Sequence, residues 1–400
     1  MAYTDFSTSS YVSSTIIAKE SLRMLENELG MSKMVYRDWE NKFGKDGDTL
    51  GIRKPNAFRA TKARARINSA FVESNLTLTV ATQAHVSFEW STKQMTDTID
   101  RISERYIKPA MSALANTMDV DLYDLHHDVF NQVGTPGTAP NGYDVYADAR
   151  RKLNEEAIPL SNRFVVVNPK GEAETMKGLK GLLNDKIIND IIIQGAMGSL
   201  AGFDFYMAQN VQVHTTGAFT TSSTPLVDGA SQTGDTLLSK GWNTGAATLK
   251  NGDVFTVAGV YAVNPRTGQS TGELRQFVVT ADITASGVAI DIPIYPSIVT
   301  SGALQTCSAS PADDAAITMV GTESTEYPIN MAFHKEAFTL AVRPLEIPTS
   351  AIWGARESYN GLSVRVMKAY DINEDKEVLR FDVLYGVLCQ RPEMACRIIG

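Results

Sequence analysis

The feature that most constrains the fold of this chain is a long run of helical periodicity between Ser91 and Gly134. Ser91 and Gln94 have the spacing of a capping box at its start, and the sequence GTPG at 134–137 marks its end. At 1.5 Å per residue, the part of this helix from Met95 to Val129 is predicted to extend about 50 Å, longer than a compact domain normally needs. Pro109 is predicted to kink it, because proline removes a backbone hydrogen bond and clashes with the preceding turn. The predicted stripe comprises Met95, Ile99, Ile102, Tyr106, Ala110, Leu114, Thr117, Leu122, Leu125 and Val129.

Residues 1–44 are predicted to form a helical N-terminal arm. Their apolar stripe is typical of an amphipathic helix that ends near Gly30. The stripe comprises Ile16, Ile17, Ser21, Met24, Leu25 and Leu29.

Residues 45–90 are predicted to form an extended two-stranded loop with a basic limb. The segment INSAFVESNLTLTVATQAHVSFEW alternates like a strand pair, with Leu76, Leu78 and Val80 on one face. The preceding segment, RKPNAFRATKARAR, contains no acidic residue. Its basic residues are Arg53, Lys54, Arg59, Lys62, Arg64 and Arg66.

A β-rich unit at 213–325 interrupts an α/β region. The region before it, 136–212, contains a short helix around Ala147 to Glu156 and the strand run RFVVVN, and strands return over 326–400. Within the unit, Phe255, Val257, Tyr261 and Val263 are predicted to face one way, before a turn over NPRTG at 264–268. The unit contains four basic and nine acidic residues, a net charge of −5 out of −8 for the chain. Since the surrounding region continues on both sides, the unit is interpreted as an insertion.

Composition narrows the classes of function. A net charge of −8 argues against a protein that grips nucleic acid over a broad face, because such binding depends on many Lys and Arg contacts to phosphates. The three cysteines lack metal-ligand spacing and indicate a reducing compartment. We expect neither a membrane span nor a signal peptide, so the chain is expected to work in a cytoplasm or to leave it by lysis.

The sequence offers few candidates for chemistry. In DLHHD at 124–128, His126, His127 and Asp128 are the best candidates for metal ligands, but adjacent histidines on a helix point about 100° apart, so we expect no metal site. The glycines of QGAMGSLAG match neither a dinucleotide fingerprint nor a phosphate loop. The basic limb could bind phosphate, but an exposed loop that pairs with a neighbour's acidic surface is favoured. No catalytic or cofactor-binding residue is predicted.

The serial order of these parts resembles the major capsid protein of tailed bacteriophages, and three stretches narrow the resemblance. These are AGFDFYMAQNVQV, LKNGDVFTVAGVYAVNPRTGQ and the C-terminal FDVLYGVLCQRPEMACRIIG, which look like coat proteins of the Salmonella short-tailed phage type. The resemblance implies an α+β chain with the Hong Kong 97 fold. Its implied parts are an N-arm (1–44), an E-loop (45–90), a spine helix of the P-domain (91–135), the first part of the A-domain (136–212), an inserted small β-barrel-like domain (213–325), and a return through the A- and P-domains (326–400).

The resemblance also implies a structural function and a set of partners. The chain is expected to form hexamers and pentamers of a closed icosahedral head, in the virion and, during assembly, in the host cytoplasm. Expected partners are copies of itself, a scaffolding protein, a portal protein and packaged double-stranded DNA without sequence specificity, with no membrane and no cofactor. The basic limb residues are predicted to contact the adjacent subunit. Alternatives are the shell of a protein compartment that encloses enzymes and, remotely, a metal-dependent hydrolase using His126, His127 and Asp128.

Overall fold

A computed structural model describes most of the chain, which divides into two compact units. The described residues are 14–39, 49–56, 58–59, 62, 64, 74–91, 103–179, 198–219, 224–242, 248–285, 289–349 and 353–400. The first unit comprises Met1–Ile52, Asn75–Leu122 and Phe338–Leu388, and the second comprises Arg53–Ser74, Tyr123–Ala337 and Cys389–Gly400. Within the described ranges, no helix is both long enough and apolar enough to cross a membrane.

The N-terminal helix of the first unit is α1 (Ser14–Glu28), followed by a 3₁₀ turn at Met31–Lys33. Its buried face is centred on Ala18, Leu22 and Leu25. Ile16 is 54% exposed, so its assignment to the buried stripe was wrong. At 100° per residue, Ile16 lies about 200° around the helix axis from Ala18, on the opposite face.

Part of the predicted long helix is present, from Ser103 to Asp124, and it ends earlier than predicted. A π-helical turn at Ser103–Ile107 leads into α2 (Lys108–Asp124), which ends in a 3₁₀ turn at Leu125–Asp128. The change from π to α geometry falls beside Pro109, where the missing N–H interrupts the backbone hydrogen bonds. The prediction that the helix continues to Gly134 was wrong, because Gln132–Val133 forms a strand, β4, instead. The start of the predicted helix, at 92–102, lies outside the described residues.

The buried face of α2 follows the predicted stripe with one exception. Ala110, Leu114 and Leu122 are at most 5% exposed. Thr117 is exposed, and its hydroxyl donates a hydrogen bond to the carbonyl of Ala113 at 3.0 Å, whereas the adjacent Met118 is fully buried. The stripe was therefore misplaced by one residue at this turn, since Met118 lies four residues after Leu114.

A buried carboxylate joins the end of α1 to α2. Asp119 accepts hydrogen bonds from the backbone N–H of Gly30 at 2.7 Å and from the N–H and hydroxyl of Ser32 at 2.9 and 2.6 Å. Burial raises the pKa of Asp119, and these hydrogen bonds oppose that rise. The carboxylate thus satisfies donors at the helix end that would otherwise be buried without a partner.

The sheets of the first unit draw strands from distant parts of the chain. A two-stranded sheet pairs β1 (Thr49–Arg53) with β2 (Asn75–Thr79), and the predicted face is confirmed because Leu78 and Val80 are buried and Leu76 packs against them. A five-stranded sheet has the order β18-β21-β20-β19, with β3 also paired to β21. Its strands are β3 (Thr82–Ser91), β18 (Phe338–Arg343), β19 (Trp353–Tyr359), β20 (Leu362–Asp371) and β21 (Lys376–Cys389).

The five-stranded sheet contains a buried ion pair. Arg365 on β20 and Asp382 on β21 are cross-strand neighbours, and the Arg365 Nη2 to Asp382 Oδ2 distance is 2.8 Å. Arg380 Nε and Gln83 Nε2 donate to the other carboxylate oxygen at 2.7 and 3.2 Å. Burial acts to raise the pKa of Asp382, but these hydrogen bonds outweigh it and lower the pKa.

The second unit contains a seven-stranded mixed sheet. Its order is β4-β22-β17-β5-β7-β6, with β8 paired to β17. The helices α3 (Tyr143–Glu155) and α4 (Pro169–Leu179) belong to this region, as does a 3₁₀ turn at Pro392–Met394. The predicted strand run RFVVVN is confirmed as β5 (Arg163–Val167), and the Asn168 that follows it caps α4 by accepting a hydrogen bond from the N–H of Gly171 at 2.7 Å. The other strands are β6 (Ser199–Leu200), β7 (Phe203–Met207), β8 (Val213–Thr215), β17 (Glu326–His334) and β22 (Ala395–Ile399).

Residues between β8 and β17 form a separate barrel with its own core. Six strands have the order β16-β12-β13-β15-β10-β9, and an antiparallel bridge between Leu226 and Ala316 brings the two ends of this order together. Large apolar side chains fill the interior, including Phe255, Phe277 and Ile292. The strands are β9 (Leu226–Val227), β10 (Gly234–Lys240), β12 (Val254–Val263), β13 (Ser270–Val279), β15 (Ala289–Ile298) and β16 (Ile317–Met319), with β11 (Thr248–Leu249) and β14 (Ile283–Thr284) as a separate pair.

The prediction that Tyr261 faces the barrel interior was wrong. Phe255, Val257 and Val263 are buried as expected, but Tyr261 is 40% exposed and Val260 is fully buried. The β12–β13 register shifts between Thr256 and Tyr261, in the stretch that includes Gly259 at φ +81°. A bulge inserts a residue and reverses the alternation beyond it.

The two ends of the inserted segment lie side by side. In the antiparallel pair of β8 and β17, Val213 faces Pro328 and Thr215 faces Glu326. The Thr216 N–H then donates to the carbonyl of Thr325 at 3.1 Å. The chain thus leaves the seven-stranded sheet and returns to it at one place.

Candidate functional site in the extended loop and the inserted domain

The structure describes five of the six residues predicted to contact a neighbouring subunit. Arg53 lies at the end of β1, and the N–H of Lys54 donates to the carbonyl of Ser74 at 3.0 Å, which closes the base of the loop. The side chains of Arg53, Lys62 and Arg64 are exposed, whereas Lys54 and Arg59 are half-buried. Arg66 lies outside the described residues.

Arg59 contacts the inserted domain of its own chain. Its Nη1 donates to Gln305 Oε1 at 2.9 Å, and its Nε donates to the carbonyl of Pro265 at 3.2 Å. Gly268 is at φ +72°, and a Cβ there would lie 2.7 Å from Arg59 Nη1. The turn at 264–268 therefore accommodates the guanidinium, so Arg59 differs from the exposed members of the limb.

The predicted turn at 264–268 is confirmed in detail. Asn264 Oδ1 accepts hydrogen bonds from the N–H of Arg266 at 3.0 Å and of Thr267 at 3.2 Å, and the Gly268 N–H donates to the Asn264 carbonyl at 2.9 Å. Asn264 Nδ2 also donates to the carbonyl of Glu155 at the end of α3, at 2.8 Å. The turn is thereby fixed to α3 as well as to Arg59.

Ion pairs link the inserted domain to α3 and to Glu156, the residue that follows α3. Glu273 on β13 pairs with Arg151 at 2.6 Å and with Lys152 at 2.7 Å, and Arg275 pairs with Glu156 at 2.5 Å. Burial acts to raise the pKa of Glu273, but hydrogen bonds from Lys152 and Arg151 lower it overall. The Arg275–Glu156 pair is almost fully buried, and removal of one partner from such a pair is strongly destabilising.

The structure brings the paired histidines of DLHHD to a third histidine. The ring centroids of His126 and His127 lie 3.9 Å apart, and His214 on β8 lies within 5.9 Å of both centroids. The prediction that adjacent histidines point too far apart to share a site was wrong. In the terminal 3₁₀ turn each ring folds back, with Nδ1 hydrogen-bonded to the carbonyl three residues earlier, at Tyr123 for His126 and Asp124 for His127.

Burial controls the protonation of this cluster. It lowers the pKa of His126 to about 2, with further lowering from His127 and Arg397, so this imidazole is neutral. Burial also lowers the pKa of His214, although its 2.9 Å contact with Asp253 opposes the shift. The exposed Asp128, the third predicted ligand, is not part of the cluster. His214 lies 87 residues after His127 in the sequence, so local spacing gave no signal for it.

Gly252 leaves room for the imidazole rings of His127 and His214 because it has no side chain. It has φ +94°, and a Cβ there would lie 2.6 Å from His127 Cδ2 and 3.2 Å from His214 Cε1. Its carbonyl accepts a hydrogen bond from the fully buried Arg397 at 2.8 Å. A larger residue at 252 would displace the imidazoles.

Comparison with known proteins assigns the chain to a family. A family model described as "P22 coat protein - gene protein 5" matches residues 6–400, so the architecture described above is that of a viral coat protein. The chain belongs to the P22 coat protein family. A curated relative, the "Major capsid protein" of Acyrthosiphon pisum secondary endosymbiont phage 1, is 22% identical over 391 residues, covering 88% of this chain and 89% of that protein.

Solved structures similar to the chain include one from a phage and one of a coat protein domain. A structure from Mycobacterium phage Che8 aligns over 100% of this chain and 96% of its own, with 13% identity and a TM-score of 0.48. The CUS-3 coat protein I-domain is 25% identical and aligns over 25% of this chain and 96% of its own, with a TM-score of 0.19.

Family membership confirms the predicted fold class and function. The chain is an α+β major capsid protein of the Hong Kong 97-like class, and it is a structural protein rather than an enzyme. It assembles with copies of itself into a multi-subunit shell and is located in the virion. Neither the enzyme-enclosing compartment nor the hydrolase is favoured.

Proposed function

We propose that this subunit builds an icosahedral head of pentamers and hexamers that encloses double-stranded DNA without reading its sequence. Assembly takes place in the host cytoplasm around a scaffolding protein, with a portal protein at one vertex. The net charge of −8 favours a shell that encloses DNA over a protein that binds DNA tightly, because tight DNA binding requires many cationic contacts to phosphates. A capsid surface that weakly repels DNA also makes it easier for the packaged DNA to leave the head.

Nucleic acid in the particles tests this part of the proposal. Particles purified from phage-infected cells and treated with nuclease should retain double-stranded DNA in amounts that do not depend on its sequence. Particles that contain protein cargo and no DNA would contradict the proposal and favour the compartment alternative.

The observation that carries the assembly mechanism is the separation of charge within one subunit. Arg53, Lys62 and Arg64 present exposed cationic side chains on the extended loop, whereas the inserted segment 213–325 has a net charge of −5. We propose that the basic residues of the loop, Arg53, Lys54, Arg59, Lys62, Arg64 and Arg66, contact acidic side chains of the adjacent subunit. An exposed ion pair contributes only about 0–1 kcal/mol, but the shell repeats it at every subunit contact.

Charge reversal on the loop tests this mechanism. The variant Lys62→Glu with Arg64→Glu changes two exposed residues and leaves Arg59, with its contacts inside the chain, intact. Thermal unfolding of the unassembled subunit should be unchanged, while sedimentation shifts from particles towards free subunits. High salt should weaken wild-type assembly in the same direction, since it screens exposed charges.

The matched control reverses two exposed lysines outside the loop, Lys19→Glu with Lys170→Glu, and so produces the same change in net charge. Control particles should form as in the wild type. Normal particles from the loop variant at both low and high salt would show that the limb is only a solvated surface.

A further inference from the structure

Three imidazoles converge in the second unit although their positions are far apart in sequence. One ring nitrogen from each of His126, His127 and His214 lies within 4.8 Å of the other two. Two come from the 3₁₀ turn after α2, and the third comes from β8 at the start of the inserted segment. Among the described residues, these three histidines are the one group of three or more His, Cys, Asp or Glu side chains placed to hold a metal ion.

The hydrogen bonds of the three rings leave one nitrogen of each for a ligand role. Nδ1 of His126 and Nδ1 of His127 bond backbone carbonyls at 2.9 and 2.8 Å, and Nε2 of His214 bonds the Asp253 carboxylate at 2.9 Å. A carbonyl or carboxylate can only accept, so each bonded nitrogen carries the proton and the opposite nitrogen presents a lone pair. Metal-bound histidines are typically held in this way by an oxygen acceptor behind the ring.

The lone pair of His126 has no protein partner. His126 is 1% exposed, and its Nε2 is buried without a hydrogen bond. Since most buried polar atoms are hydrogen-bonded, an orphaned acceptor that belongs to a cluster of imidazoles indicates a missing ligand.

We propose that His126, His127 and His214 form a structural site for a divalent transition metal, with Zn²⁺ as the best fit. Imidazole nitrogen is a preferred zinc ligand, with Zn–N distances of about 2.0–2.1 Å. Tetrahedral geometry then requires ligand nitrogens about 3.3 Å apart, so on binding the rings would move together from separations of up to 4.8 Å. A water molecule would complete the coordination.

Nearby charges set the strength of the site. Arg397 is fully buried and close enough to act electrostatically on His126, so its charge opposes a bound cation. The carboxylate of Asp253 behind His214 partly offsets this effect. Binding is therefore weaker than at a zinc site with four protein ligands.

The bound metal would tie together segments that the backbone does not join directly. His126 and His127 follow α2, whereas His214 begins the inserted segment and Asp253 precedes its strand β12. A metal held by all three histidines would thus cross-link the 3₁₀ turn at Leu125–Asp128 to the base of the inserted domain.

Co²⁺ titration of the full-length, unassembled subunit after EDTA treatment tests the proposal. We expect saturation at one Co²⁺ per chain, the visible absorption of tetrahedral Co²⁺, and stoichiometric displacement by Zn²⁺. His127→Ala and His214→Ala should each weaken binding at least about tenfold, since even loss of an outer hydrogen-bond partner typically costs 10–100-fold. His85→Ala, which changes an exposed histidine of the first unit, should bind as the wild type does.

Absence of saturable binding by the wild type, or unchanged affinity in both cluster variants, would overturn the proposal and assign a buried water to His126. If the variants do not fold, the Co²⁺ titration of the wild-type subunit alone decides whether a metal site is present. A stoichiometry near zero, or a spectrum of octahedral Co²⁺, refutes a three-imidazole tetrahedral site.

Discussion

The inserted barrel and the five-stranded sheet of the first unit obtain their strands from the chain in opposite ways. The barrel takes every strand from residues 226–319, and its interior cluster consists of apolar side chains such as Phe255 and Phe277. The five-stranded sheet joins β3 to strands that begin at Phe338, and it buries the ion pair of Arg365 and Asp382. One is local and held by hydrophobic burial, whereas the other is non-local and depends partly on charge.

This difference has consequences for folding. Non-local strands gain their contacts only after a long loop has closed, and the entropy of that closure slows folding. A contiguous segment with its own core can fold before the remainder is in place. We therefore expect the barrel to be the independent part of the subunit.

The largest expected effect is all-or-none folding of isolated pieces. Residues 213–325 expressed alone should give dispersed amide resonances and one cooperative thermal transition, because their core is complete within the segment. Residues 338–389 expressed alone should not fold, because β21 loses its partner β3 and both β19 and β20 lose the packing of α1. A disordered 213–325 segment, or a folded 338–389 segment, would contradict the comparison.

A smaller effect is expected from one side chain in the barrel. Phe277 is fully buried and stacks on Phe255 with ring centroids 5.8 Å apart, so Phe277→Ala should lower the free energy of unfolding by about 3–5 kcal/mol. Leu238→Ala is the matched control, since Leu238 is 44% exposed on β10, and it should change stability by less than about 0.5 kcal/mol. Urea unfolding of both variants measures the difference, and equal effects would mean that the barrel interior has been misassigned.

The smallest expected effect is the change with pH in the stability that the Arg365–Asp382 ion pair provides. The pKa of Asp382 is lowered below its ordinary value of 3.8, so its stabilising contribution is present above that pH and is lost as the pH falls through the folded-state pKa. Asp382→Asn should therefore be less stable than the wild type at pH 7, with a deficit that narrows as the pH falls below about 3.8. Urea unfolding from pH 7 to 3 measures this deficit.

The control for the ion pair is Asp371→Asn, which changes an exposed residue at the end of β20 and should be about as stable as the wild type at pH 7. A constant deficit for Asp382→Asn across the pH range would show that the carboxylate acts through shape rather than charge.

Periodicity predicted several of the longer elements because burial of an apolar face repeats along a helix or strand. It located α1, α2, β5 and the strands around the turn at 264–268. It failed where a backbone irregularity changes the repeat. At the bulge after Thr256, Val260 replaces Tyr261 in the barrel interior, and nothing in a two-residue alternation indicates that shift.

Site residues were harder to predict because their partners are distant in sequence. Arg59 belonged to a basic run, but its contact with Gln305 depends on how the loop meets the inserted domain. His126 and His127 were visible as a pair, whereas His214 joins them only through the fold. Their shared geometry follows from the backfolded terminal turn, which ideal helix geometry does not include.

The side-by-side pairing of β8 with β17 has a consequence for the design of particles. Opposed residues in an antiparallel pair have Cα atoms about 4.5–5.5 Å apart, so the backbone of the seven-stranded sheet needs only a tight connection at this point. Any guest domain whose two termini are adjacent meets the same geometric requirement as the native barrel. The β8–β17 pair is thus a suitable insertion point for a foreign domain. A shell of many subunits would then carry many copies of that domain.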